Sequence, residues 1–155
     1  MRKFKEIVSY FNYENTETDI HSVMVYSKEK LMLGTVVRLD DDDKIVPSDS
    51  STFNVYGVVI ENDDPELHCV AVCGTVMCIC QSNNFIIGDY VKSCSIYGAG
   101  SKHVDTKNFE LPKTYLEKVC FGKVVENKDL RTAYLGYVKI KLSGKSCITC
   151  STKST

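Results

Sequence analysis

Four aspartates in a row, Asp40 to Asp43, are the first residues that could do chemistry. Contiguous carboxylates can hold a cation or serve as paired acids. A calcium loop, however, spaces its oxygen ligands at alternating positions, bends at a glycine and closes with a bidentate Glu. Here the acids are adjacent, with no central glycine and no Glu at the twelfth position. Like charges packed into one buried site disfavour each other, so exposure is the cheaper arrangement. The flanking runs VVRL and KIVP predict a hairpin instead, with strands over Thr35–Leu39 and Lys44–Pro47. Asp40 to Asp43 then form its turn, with their carboxylates in water.

The second chemical feature is sulfur. The eight cysteines are Cys69, Cys73, Cys78, Cys80, Cys94, Cys120, Cys147 and Cys150. Cys147-Ile-Thr-Cys150 has the spacing of a zinc knuckle, and Cys78, Cys80, His68, Cys69 and Cys73 are further candidate ligands. A four-ligand zinc site usually shows two clean pairs on tight turns. Cys78 and Cys80 stand two apart in an apolar run and point to the same face of a strand. No metal site is expected, and the cysteines read as reduced thiols packed like small hydrophobes. Nucleophilic catalysis has only His21, His68 and His103 as bases. His68 and Cys69 are neighbours, which in a strand face opposite ways. GAGSK, Gly98 to Lys102, lacks the flanks of a phosphate loop and reads as a glycine-rich turn. Asp49-Ser50 reads as part of a polar loop rather than a cleavage dyad. No catalytic residue and no cofactor site emerges, so the chain is not expected to be an enzyme.

The elements that would position these residues are mostly strands. The 155 residues are 43% hydrophobic and 25% charged, enough for one globular core. Nineteen basic against 20 acidic residues leave no basic excess to hold a nucleic acid. No apolar run approaches the roughly 20 residues of a membrane-spanning helix. Short Val- and Ile-rich runs are bounded by turn residues. Six of them begin at a glycine: Gly34, Gly57, Gly74, Gly88, Gly122 and Gly136. Glycine at such positions permits a bulge or a sharp bend, as in a small sheet that curls on itself. The segments from Val55 to Cys78 and from Cys120 to Leu142 echo each other as strand, polar turn, strand, which suggests antiparallel hairpins. Leu111–Cys120 is the one candidate helix, opened by Pro112. The expected fold is all-β: a small antiparallel barrel or sandwich of seven to nine strands, with an extended N-terminal arm. Phe4, Ile7, Tyr10, Phe11 and Tyr13 are possible anchors in that arm.

The order GTVVRLDDDDKIVPSDSSTFNVYGVVIEN, LHCVAVCGTVMCIC, FIIGDYVKSCSIYGAGSKHV, VCFGKVVEN, LGYVKIKL resembles a module recurrent in bacteriophage virion proteins. It looks like the β-rich, β-tulip-like fold of capsid cement or head-decoration proteins. It is also similar to the C-terminal chaperone domain of phage tail spikes and appendages. The resemblance spans Gly34 to Leu142. It divides the chain into an N-terminal docking arm (1–30), a decoration-type domain (31–143) and a C-terminal tail (144–155), which reads as flexible. It implies a homotrimeric auxiliary capsid protein on the virion surface, assembled in the host cytoplasm. Such a protein stabilises the shell by contacts with itself, the major capsid protein and head fibres, without nucleic acid or membrane. A head-fibre or tail-appendage component or assembly chaperone is the alternative within this class, and a zinc-supported binding module the alternative outside it. Val76-Met77-Cys78-Ile79 and Phe85-Ile86-Ile87 are candidate trimer contacts, with ordinary core the favoured alternative for any single residue among them. Tyr97, Tyr115, Tyr134 and Tyr137 suit wet interfaces.

Overall fold

The computed structural model describes residues 19–103 and 112–144. In chain order the elements are β1 (His21–Tyr26), β2 (Val36–Leu39), β3 (Ile45–Pro47), β4 (Gly57–Glu61), β5 (Leu67–Gln81) and β6 (Asn84–Phe85). They continue with β7 (Tyr90–Ser93), β8 (Gly100–Lys102), α1 (Lys113–Val119), β9 (Gly122–Val124), β10 (Lys128–Asp129) and β11 (Leu135–Leu142). The all-β expectation is met. The strands number eleven among the described residues rather than seven to nine, because very short pairings such as β6 with β10 carry no sequence pattern of their own.

β5 organises everything else. Its 15 residues, LHCVAVCGTVMCICQ, contain no proline and are dominated by Val, Ile, Cys and Met, so the strand runs unbroken. The first half pairs antiparallel with β1 on one side and β4 on the other. The second half pairs with β11 from Gly74 to Gln81. β11 then pairs with β9, β9 with β7 and β7 with β8. β8 returns to β5 through one parallel contact, Cys80 with Gly100. This closes a five-stranded barrel. On the other side of β5, β4, β2 and β3 extend the sheet. An isolated bridge from Ser27 to Ile45 brings β3 round to the end of β1.

Gly74 sits where β5 passes from one set of partners to the other. Its φ is +104°, and a Cβ there would lie 2.6 Å from the Asp19 carbonyl oxygen. Just before it, His21 faces Cys73 while Ser22 faces Ala71, so β5 carries one extra residue at this point. A bulge shifts the alternation of side chains by one. As a result Ala71 before it and Val76, Cys78 and Cys80 after it all reach the same core. Unbulged alternation would place Ala71 and Val76 on opposite faces.

Three apolar clusters follow from this layout. Val76, Cys78, Cys80, Phe85, Val91, Phe121, Val124, Val138 and Ile140 fill the barrel. Ile79, Leu135, Tyr137, Cys94 and Ala99 pack outside β5 and β11. Leu31, Val37, Ile45, Val59, Val70 and Val72 fill the curl of β1 to β4. The helix expected near Leu111–Cys120 is present as α1: the Pro112 carbonyl accepts from the Tyr115 and Leu116 N–H groups, and Leu116 turns inward. The echo also appears, as the hairpin-like pairs β4–β5 and β9–β11.

Candidate functional site

The acidic turn resolves residue by residue. β2 and β3 pair as an antiparallel hairpin around it. Asp40 Oδ1 accepts from the N–H groups of Asp42 and Lys44 at 2.9 and 3.0 Å, and Asp43 adopts φ 59°, a left-handed conformation that aspartate tolerates. Asp41, Asp42 and Asp43 are exposed, as expected. Asp40 is a correction: its Oδ2 lies 2.9 Å from Lys28 Nζ, and its side chain is largely covered. The Lys28 ammonium and then the Lys44 N–H hold its carboxyl at about 2. Asp40 therefore acts as the brace of the turn, neither a solvated tip nor a cation ligand.

The cysteines divide in two. Cys69, Cys78, Cys80, Cys94 and Cys120 are buried thiols. Cys78 and Cys80 share a face, as their spacing required, and that face is the barrel interior. Burial, reinforced by the neighbouring Cys80, pushes the Cys78 thiol well up, and burial also raises the Cys94 thiol. Such sulfurs are poor nucleophiles at neutral pH. Cys73 departs from the reduced-thiol expectation: it is disulfide-bonded. It stands half-buried at the bulge, where the strand turns its side chain away from the barrel core. Cys147 and Cys150 lie outside the described residues, as do the anchors of the N-terminal arm. Among the described residues, no three His, Cys, Asp or Glu side chains converge as a metal site.

The histidines are scattered. His68 is completely buried, and its Nε2 accepts from the Leu31 N–H at 2.9 Å. His21 lies on β1, and His103 follows β8. GAGSK is a turn only at its start: Gly98 has φ +81°, whereas Gly100–Lys102 form β8. Asp49 and Ser50 do lie in a loop. Asp49 Oδ1 there accepts from the backbone and hydroxyl of Ser51 and the hydroxyl of Thr52.

The two segments expected at trimer contacts separate. Val76, Cys78 and Ile79 are core, because they belong to β5 and both of its faces are covered. Phe85 is core as well, but Ile86 and Ile87 are 50% and 65% exposed. Tyr97, Tyr115 and Tyr134 are exposed, whereas Tyr137 is buried and donates its hydroxyl to the Leu33 carbonyl at 2.9 Å. Burial holds that phenol up at about 12.

Ile87 borders an open groove of about 610 Å³ over β7, β9, β11 and α1. Val125 gives it apolar surface above the buried Val124 and Leu142, while Lys123, Lys141 and Glu117 give it charge. Lys123 Nζ stands 4.8 Å from the centroid of the Tyr90 ring. Asp89 Oδ2 and Asn127 Oδ1 accept from the N–H groups of Ile86 and Ile87 at 2.8 and 2.7 Å, which fixes the tip that presents both isoleucines. Exposed apolar side chains beside a groove can bury surface against another protein.

The fold is similar to that of a phage head-fibre base. The solved structure is the head fiber gp8.5 N base of bacteriophage phi29, at 17% identity and a TM-score of 0.53. The match covers 79% of this chain and 93% of that one. At the level of sequence, no family model and no curated protein matches.

Sequence reading missed one part of the exposed apolar surface, Met24 and Tyr26 on β1, 57% and 61% exposed. The alternation in HSVMVY was the available signal. It places Ser22, Met24 and Tyr26 on one face and Val23 and Val25 on the other, and the valines are the residues packed on the core.

Proposed function

We propose that this chain is a structural protein of a bacteriophage virion, held on the head by protein–protein contacts as an auxiliary capsid (decoration) protein. The observation that carries this reading is the similarity to the head-fibre base. It extends over 93% of that chain at 17% identity. The side chains support a role in binding rather than catalysis. The acids brace turns, the buried thiols fill core, and His68 accepts a backbone hydrogen bond.

The finer reading is a homotrimer that contacts the major capsid protein, with Ile86, Ile87 and the adjoining groove as the contact surface. A wet interface of this kind combines an apolar centre with a charged rim, as Ile86, Ile87 and Val125 do with Lys123 and Lys141. A head-fibre component draws on the same similarity and differs in copy number.

The test is sedimentation of purified protein with phage heads that lack it. Saturable binding at a fixed ratio to the shell protein, repeated over the lattice, is the result expected of decoration. Saturation at a few copies per head indicates a fibre or vertex component. Protein that stays in the supernatant at every concentration contradicts the reading.

A further inference from the structure

Cys73 is disulfide-bonded, and the other five described cysteines are free thiols. Of the eight cysteines in the chain, Cys147 and Cys150 are the two that remain as partners. β11 returns the chain to the neighbourhood of Cys73. It runs antiparallel to β5, and its last residue, Leu142, pairs with Gly74. Two residues on, Gly144 borders one small crevice with Val72 and Tyr56, and Tyr56 packs on the same outer core as Cys73. An extended chain covers at most about 3.6 Å per residue. Cys147 therefore lies within roughly 10 Å of Gly144, and Cys150 within roughly 20 Å. Either reach is enough to bring a sulfur to the bulge.

Access sets Cys73 apart from the other described cysteines. Disulfide exchange needs a thiolate that can approach the sulfur it attacks. Cys69, Cys78, Cys80, Cys94 and Cys120 are each less than a tenth exposed, whereas Cys73 is half-buried. Cys147-Ile-Thr-Cys150 in turn supplies two sulfurs where a fixed bridge needs one, and such a pair can close on itself. In the unfolded chain that small ring is favoured over a bond from Cys73. Closing about 75 residues rather than three costs on the order of a hundredfold in chain entropy. Folding reverses the preference, because the β5–β11 ladder then holds Gly144 beside the bulge.

We infer that Cys73, Cys147 and Cys150 form an exchange set that straps the C-terminal segment to the β5 bulge once the barrel has folded. The Cys73 thiolate attacks one sulfur of a Cys147–Cys150 disulfide. A bond forms from Cys73 to that sulfur and the bond within the pair breaks. The electron pair leaves on the other sulfur, which takes up the proton that Cys73 lost. This step consumes no oxidant. The starting disulfide forms from two thiols by exchange with a small-molecule disulfide such as oxidised glutathione, which is reduced to two thiols. The strap is independent of the virion role, and either can fail without the other.

The test is non-reducing peptide mapping of the full chain after equilibration with oxidised glutathione. In native buffer Cys73 should be linked to the peptide that carries Cys147 and Cys150. The same treatment in concentrated urea should lower that linked species at least tenfold. Cys147→Ser and Cys150→Ser should each keep a link from Cys73 to the cysteine that remains. A phosphine reductant should lower the Tm of the parent by several degrees. Cys73→Ser, a near-isosteric change, should abolish that sensitivity. The proposal is overturned if Cys73 of the native protein is recovered as a free thiol, or linked to a buried cysteine or to a second copy. It is also overturned if either serine variant of the pair leaves Cys73 unlinked, or if the link forms equally in urea.

Discussion

His68 shows how a titratable side chain can serve the fold. It lies in β5 with no exposure, and its Nε2 accepts from the Leu31 N–H. Only the neutral ring can accept there. Burial lowers its pKa below the ordinary 6.5, against smaller opposing contributions such as the Leu67 backbone. A depressed pKa means that the unfolded chain binds the proton first. The stabilising contribution is therefore complete above about pH 6.5 and declines as pH falls below it. Urea unfolding from pH 8 to pH 5 should show this loss in the parent. His68→Gln, which keeps an acceptor but does not titrate, should show a flatter profile over the same window. His68→Leu should cost about 1–3 kcal/mol at pH 8, because it leaves the Leu31 N–H buried and unpaired. Equal pH profiles for the parent and His68→Gln would remove this role. The same residue was legible in sequence only as one of three candidate bases. Alternation told that His68 and Cys69 face apart, but not that an N–H 37 residues away would meet the ring.

At the scale of elements, local pattern was a good guide and long-range closure was not. The VVRL-DDDD-KIVP hairpin and the short helix after Pro112 are set by residues within a few positions, so their chemistry is readable in place. Apolar alternation also marked β5, but it could not say which layers would cover it. Val76, Cys78 and Ile79, readable as contact or, more readily, as core, are core, because the barrel fills one side and Leu135 and Tyr137 cover the other. Tyr137 is buried for the same reason. The glycines marked bends in the sequence without revealing what each one must clear. Gly74 needs both kinds of freedom, since L side chains rarely adopt its positive φ and the Asp19 backbone fills the space beside it. Gly74→Ala should destabilise the protein by about 1–3 kcal/mol, seen as a drop of several degrees in Tm. An unchanged Tm would mean that the bulge does not need this backbone conformation.

At the scale of the whole molecule, a closed barrel and a curled outer sheet bury most of the apolar pattern among the described residues and leave some apolar side chains exposed. Ile86, Ile87, Met24 and Tyr26 are prominent among them. If Ile87 and its groove form the trimer contact, light scattering of the parent should give about three times the 17.4 kDa of one chain. Ile87→Asp should then reduce the mass to that of a single chain without lowering Tm, because the residue is exposed. A trimer that survives Ile87→Asp would move the contact elsewhere, with β1 the next surface to alter. A monomeric parent would set aside self-association altogether.

The proposed role requires this chain to be part of a phage particle. Quantitative mass spectrometry of gradient-purified virions tests that most directly. Peptides of this chain should co-purify with infectious particles through successive gradients, at a constant ratio to the major shell protein. Peptides found only in the host lysate, or falling away from the shell protein with each gradient, would contradict it.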